Sequence, residues 1–150
     1  MKNPYYQRYA EFEDGLIARY AAHPIIRRFS QLSYQAAIDY LLQLGHLSVV
    51  FVKWYEQAKL GLTREDAKEV VRHILRDEIP SNAPTHQDDR IYDLERFGLF
   101  REEALNSKPT RHTERMIARL FGLTKYPQTD QDLRVMVSLR VAGELLVAEQ

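Results

Sequence analysis

Cysteine is absent from all 150 residues. Without a thiol there is no disulfide framework, no thiolate zinc site and no cysteine nucleophile. Net charge is missing as well, because 21 Lys and Arg balance 21 Asp and Glu. The chain therefore lacks the basic excess of a dedicated nucleic-acid binder or a polybasic membrane binder. Long apolar runs are scarce. The longest, around residues 41–52, is interrupted by His46 and flanked by Asp39 and Lys53. It falls short of the roughly 18 consecutive apolar residues expected of a membrane span. The opening MKNPYYQRYAEFEDG has no apolar stretch and carries Glu11, Glu13 and Asp14, so it reads as neither a signal nor a transit peptide. A glycine-rich phosphate loop, a G-x-S-x-G elbow and an H-E-x-x-H motif are also lacking. These absences lead to the expectation of a cytoplasmic protein with no nucleic-acid or membrane partner.

What is present is helical periodicity. The length suits one domain with its own core, since compact domains run to roughly 100–200 residues. Over residues 6–22, Tyr9, Phe12, Leu16, Ile17 and Tyr20 recur at helical spacing. His23-Pro24 closes that run, because a residue before proline is pushed out of the helical region. Residues 33–60 predict the longest helix, with a stripe that includes Ala37, Tyr40, Leu44, Leu47, Phe51, Trp54 and Ala58, and Gly61 follows it. A third helix opens at Thr63, has Glu65 and Asp66 in its first turn, and ends near Pro80. After the polar Ser81-Asn82-Ala83-Pro84, Thr85 caps a run carrying Ile91, Leu94 and Phe97, stopped by Gly98. Pro109-Thr110 opens a run with Met116, Ile117, Leu120 and Phe121, stopped by Gly122. A last helix from Asp130 carries Leu133, Met136, Val137, Val141, Leu145 and Ala148. No segment reads as a strand. The fold class expected is all-α, a bundle of five or six helices.

The chemistry-bearing segment spans the break between the third and fourth of these helices. Glu78 ends an apolar helix and His86 begins the next. A carboxylate and an imidazole meeting at a helix break suit a divalent metal of the iron or manganese type, and helix bundles build such sites from inward-facing Glu and His. Asp88 or Asp89 could hold the second imidazole nitrogen of His86. The plainer reading is that these acids suit a helix N-terminus and that Glu78 and His86 are surface residues. His23 reads as a helix-end residue, His46 as a boundary residue, and His73 and His112 as solvated. Glu144 falls at the border of the last apolar stripe. It reads either as a surface partner of Arg140 or as an inward carboxylate that needs a metal.

Taken together, HILRDEIPSNAPTHQDDRIYDLERFGL, the HPIIRRFSQ segment at residues 23–31 and VSLRVAGELLVAEQ near the end resemble the haem-oxygenase-like diiron oxidases. That family shares the fold of haem oxygenase, the TenA thiaminases and the PQQ-synthesis oxygenase. The resemblance covers nearly the whole chain through loose motifs. It implies Glu78, His86 and Glu144 as ligands to iron, in a mononuclear or diiron site, or to manganese, with Glu149 as the fallback for Glu144. It further implies O₂-dependent oxidation of a small organic substrate in an apolar channel, which Tyr40, Leu44, Phe51 and Trp54 could line.

Two departures from the family accompany the resemblance. The family's further ligand helix, with a His-x-x-x-Asp-x-x-His pattern, does not occur before Gln150, so an incomplete version of the fold is expected. The missing ligands would then lie in a further segment, come from a partner chain, or be lost. The absence of cysteine, with Leu44 in place of the thiaminase Asp, argues against the thiaminase branch. Haem binding through His23 is the weaker alternative. The competing expectation is a non-catalytic helical interaction protein, a homodimer or a partner-bound chain closed through uncovered apolar faces.

Overall fold

In the computed structural model the described residues are 4–79, 85–125 and 130–145. They form an all-α helical bundle with no strand among them. Helix α1 spans Pro4–Ala21, the short α2 spans Pro24–Arg27, and one 3₁₀ turn at Phe29–Gln31 leads into α3, Tyr34–Gly61. Then come α4 (Glu65–Glu78), α5 (His86–Arg96), α6 (Arg101–Asn106), α7 (Arg111–Lys125) and α8 (Gln131–Ser138), which runs on as a π-helical segment, Leu139–Leu145. Helix α3 is the axis, and α4, α5, α7 and α8 all pack along it. It is also the one described helix long and apolar enough to cross a membrane by length and composition.

Local sequence signals account for most of the boundaries. Ser33 caps α3, its hydroxyl accepting from the Ala36 N–H at 3.3 Å. His23 caps α2 through Nδ1. Thr85 and Asp88 form a reciprocal capping box on α5, with Thr85 Oγ1 donating to the Asp88 carboxylate at 2.7 Å. At the other end of α5, Gly98 adopts φ +91. Its N–H reaches the Glu95 carbonyl and the next N–H, from Leu99, reaches Leu94. This is the paired closure that ends a helix on a left-handed glycine.

Long-range polar contacts set the remaining boundaries. Helix α4 begins at Glu65 rather than Thr63, and its entry is held from a distance: the Asp132 carboxylate on α8 accepts from the Thr63 and Arg64 N–H groups at 2.8 and 2.7 Å. Gln43 on α3 does the same for α7, its amide oxygen accepting from the Thr110 N–H at 2.8 Å and from the Thr113 hydroxyl at 2.7 Å.

Three expectations need correction. Helix α7 does not stop at Gly122 but continues to Lys125. Leu120 and Thr124 are buried on α3, and Gln57 donates to the Phe121 carbonyl and the Thr124 hydroxyl at 3.0 Å each. Those contacts outweigh the cost of about 1 kcal/mol for a mid-helix glycine. Helix α6 was not anticipated; Glu103 closes its first turn by accepting from the Phe100 N–H at 3.0 Å. The apolar face of the last helix is also different: Val135 and Leu139 are fully buried, whereas Leu133 is 65% exposed. From Leu139 onward, π-helical hydrogen bonding adds residues to each turn and breaks the 3.6-residue spacing for the positions that follow.

The dry core sits at the C-terminal half of α3. Trp54, Tyr55 and Ala58 pack there with Leu62, Val71, Leu120, Val135 and Leu139. Burying an aromatic side chain of this size is worth several kcal/mol. By contrast, α1 contributes no fully buried residue. It is tied to the rest by Glu13, whose carboxylate receives Arg140 Nε at 2.9 Å and Nη2 at 3.3 Å. The guanidinium holds the Glu13 carboxyl below its usual range.

Candidate functional site

The other half of α3 surrounds empty space instead of core. A cavity of about 210 Å³ lies between α1, α3, α5, α7 and the π-helical segment. Helix α3 supplies Tyr40, Leu44, the pair Leu47 and Ser48, and Phe51 at successive turns. Met116 and Leu120 close it from α7, and Ala142 closes it from the π-helical segment. Of the four residues expected in a pocket, Tyr40, Leu44 and Phe51 line this one. Trp54 lies one turn further on and is fully buried in the core, with its ring centroid 6.0 Å from that of Phe51.

The polar side of the cavity is made by Tyr20, Tyr40, Ser48 and Arg90. Arg90 projects from α5 across α3. Its two terminal nitrogens donate to the Leu41 carbonyl and, at 3.3 Å, to the Ser48 hydroxyl. Gly45 eases this approach, because a Cβ there would stand a tight 3.2 Å from Arg90 Nε. Burial lowers the Arg90 pKa to about 10, so the group stays cationic at neutral pH. Burial, together with the neighbouring Tyr20, pushes Tyr40 up to about 12, which keeps its hydroxyl neutral. Arg90 Nε is buried with no hydrogen-bond partner among the described residues, and the Tyr20 hydroxyl is buried beside Tyr40.

Behind Arg90 a second cavity of about 260 Å³ reaches His46, which sits 3.2 Å from the Ser107 hydroxyl. Burial and then the Arg90 charge hold His46 below the usual imidazole range. The sequence points to none of Arg90, Ser48 or Gly45 as a site residue, and it places Tyr20 only in the apolar stripe of the first helix. A signal was available: Arg90 lies next to Ile91 and one turn before Leu94, both buried, so it borders the inward face of α5, where a cation is out of place.

The expected metal ligands are placed as follows. Glu78 is the last residue of α4 and is half-buried, and His86 is the first residue of α5. The side chains of His86 and Glu144 lie outside the described residues, as do Glu149, Ala148 and the segment 80–84. The spacing argument that put Glu144 at the edge of a buried face runs through the π-helical turn and so loses its basis. Asp88 is committed to Thr85 as a cap and to Arg101 at 3.7 Å. His73 is exposed and stands 3.7 Å from Asp77. Two carboxylates and an imidazole suit iron or manganese, but among the described residues no three His, Asp or Glu side chains stand together as a metal site. Comparison with known proteins finds no matching family model, no similar curated protein and no similar solved structure.

Proposed function

We propose that this chain is a small-molecule-binding helical bundle of the haem-oxygenase-like oxidase type, with the α3 cavity as its substrate pocket. The cavity supports this reading: an apolar space on the central helix with a few convergent polar groups is the usual form of a ligand site. The sequence adds Glu78, His86 and Glu144 as the residues that would hold iron or manganese. When bound, such a metal would supply the O₂ and redox chemistry. The chain's own contribution is orientation and exclusion of water. Leu44, Leu47, Phe51 and Met116 enclose an apolar body, while Tyr40 and Ser48 offer neutral hydroxyls along one wall.

The test is metal content. Protein loaded with ferrous iron or manganese and then desalted should retain close to one metal per binding site. Glu78→Ala and His86→Ala should each lower that content while leaving helical circular dichroism unchanged. Metal-free wild-type protein after loading would overturn the oxidase reading.

A second reading is favoured by exposed apolar side chains. Tyr5, Tyr6, Leu60 and Phe100 are each more than 70% exposed. A homodimer, or a partner chain covering those faces, would explain them. Sedimentation at micromolar concentration should show a species larger than a monomer, and a monomer throughout would set this reading aside.

A further inference from the structure

Arg90 is a half-buried cation with no anion to match it among the described residues that surround it. The guanidinium has five N–H groups, and the partners it finds are one carbonyl and one hydroxyl, both neutral. No carboxylate lies among the described residues that line either cavity touching Arg90. Tyr40 remains a neutral phenol, so it supplies no counter-charge. A buried charge without a partner is costly, and hydrophobic side chains of similar volume are the cheaper occupants of such a position. Here the sequence keeps the charge and makes room for it with Gly45.

The geometry points to a small monocarboxylate with an apolar body as the ligand of the α3 cavity, its carboxylate on Arg90 and its body among Leu44, Phe51 and Leu120. Three features define that class. Arg90 supplies one positive charge, which matches one carboxylate better than a dianion. Its Nε makes no hydrogen bond among the described residues, so the guanidinium fork keeps donor capacity for a carboxylate. The remaining lining is apolar, and a volume of about 210 Å³ exceeds that of an engineered cavity of about 150 Å³ that takes up benzene. A ring or short chain with one carboxylate therefore fits, whereas a drug-sized molecule does not. This inference rests on the cavity being the substrate pocket and does not depend on the metal.

Phenylacetate is a suitable probe and phenylacetamide is its neutral counterpart. Both are titrated into the full chain by calorimetry in the presence of a chelator, so that the outcome is separate from metal loading. Phenylacetate should bind about ten- to a hundredfold more tightly than the amide, the scale of hydrogen bonds to a charged group. Arg90→Met should abolish that preference while the amide still binds. Arg90→Lys, which keeps the charge and loses the fork, should retain part of it. Equal binding of acid and amide by the wild-type chain, an unchanged preference in Arg90→Met, or inorganic phosphate binding as well as phenylacetate would each overturn the proposal. The acid–amide comparison on the wild-type chain needs no variant to fold.

Discussion

The two halves of α3 are built from similar residues to different ends. Trp54, Tyr55 and Ala58 in the C-terminal half are sealed against α4, α7 and α8, with no more than 1% of any of them exposed. In the N-terminal half, Tyr40, Leu44 and Ser48 are only half-buried and face a cavity and a guanidinium. Both halves present an aromatic and aliphatic stripe at helical spacing. They differ in what sits opposite: Val71, Val135 and Leu139 fill the space in one half, while Arg90 and Ala142 leave it open in the other. One helix thus serves as structural axis at one end and pocket wall at the other.

The most disruptive way to break this contrast is to hollow out the sealed half. Trp54→Ala should cost about 3–5 kcal/mol of unfolding free energy in urea titration, the range for deleting a buried aromatic. Leu44→Ala, at a site already open, should cost clearly less. A change of opposite sign sharpens the comparison. Arg90→Met replaces a half-buried charge that lacks a counter-ion among the described residues with an apolar side chain and should raise stability by about 1 kcal/mol.

Smaller effects concern the polar seams. Gln57→Ala removes two donated hydrogen bonds that hold the end of α7 and should cost about 1–2 kcal/mol, with amide exchange accelerating first in α7. The smallest effect is a pH dependence at His46. Burial and the Arg90 charge depress its native pKa below that of the unfolded chain. The unfolded state therefore binds more protons between that depressed value and about 6.5. Stability should be full above that window and fall as pH drops through it. His46→Gln should flatten the slope in thermal melts at pH 5–7, and an unchanged slope would place the titration elsewhere.

Much of the bundle could be read in advance because its boundaries are local. Ser33, Thr85 and Gly98 each act within a few residues, as caps or stops do. What escaped the sequence is long-range or breaks the period. Asp132 on α8 holds the entry to α4, and Gln57 helps carry α7 past Gly122. The π-helical turn at Leu139 shifts every inference made beyond it, including the one about Glu144. At the site, Tyr40, Leu44 and Phe51 were legible as an apolar stripe. Trp54 belonged to the same stripe, but which part of a stripe meets core and which meets a cavity depends on the facing helices. Arg90 was passed over because a charge beside Asp88 and Asp89 reads as part of a solvated helix start. It packs against Gly45, which lies 45 residues earlier in the chain.

The central claim is that Arg90 is retained for an anion the fold does not contain. It is tested most directly by urea denaturation of the wild-type chain and Arg90→Met, each with and without saturating phenylacetate and with chelator present. A ligand that binds only the folded state stabilises it by mass action. The account predicts that Arg90→Met is the more stable protein without ligand and that phenylacetate stabilises the wild-type chain clearly more than the variant. Equal stabilisation of both proteins, or of neither, would contradict it.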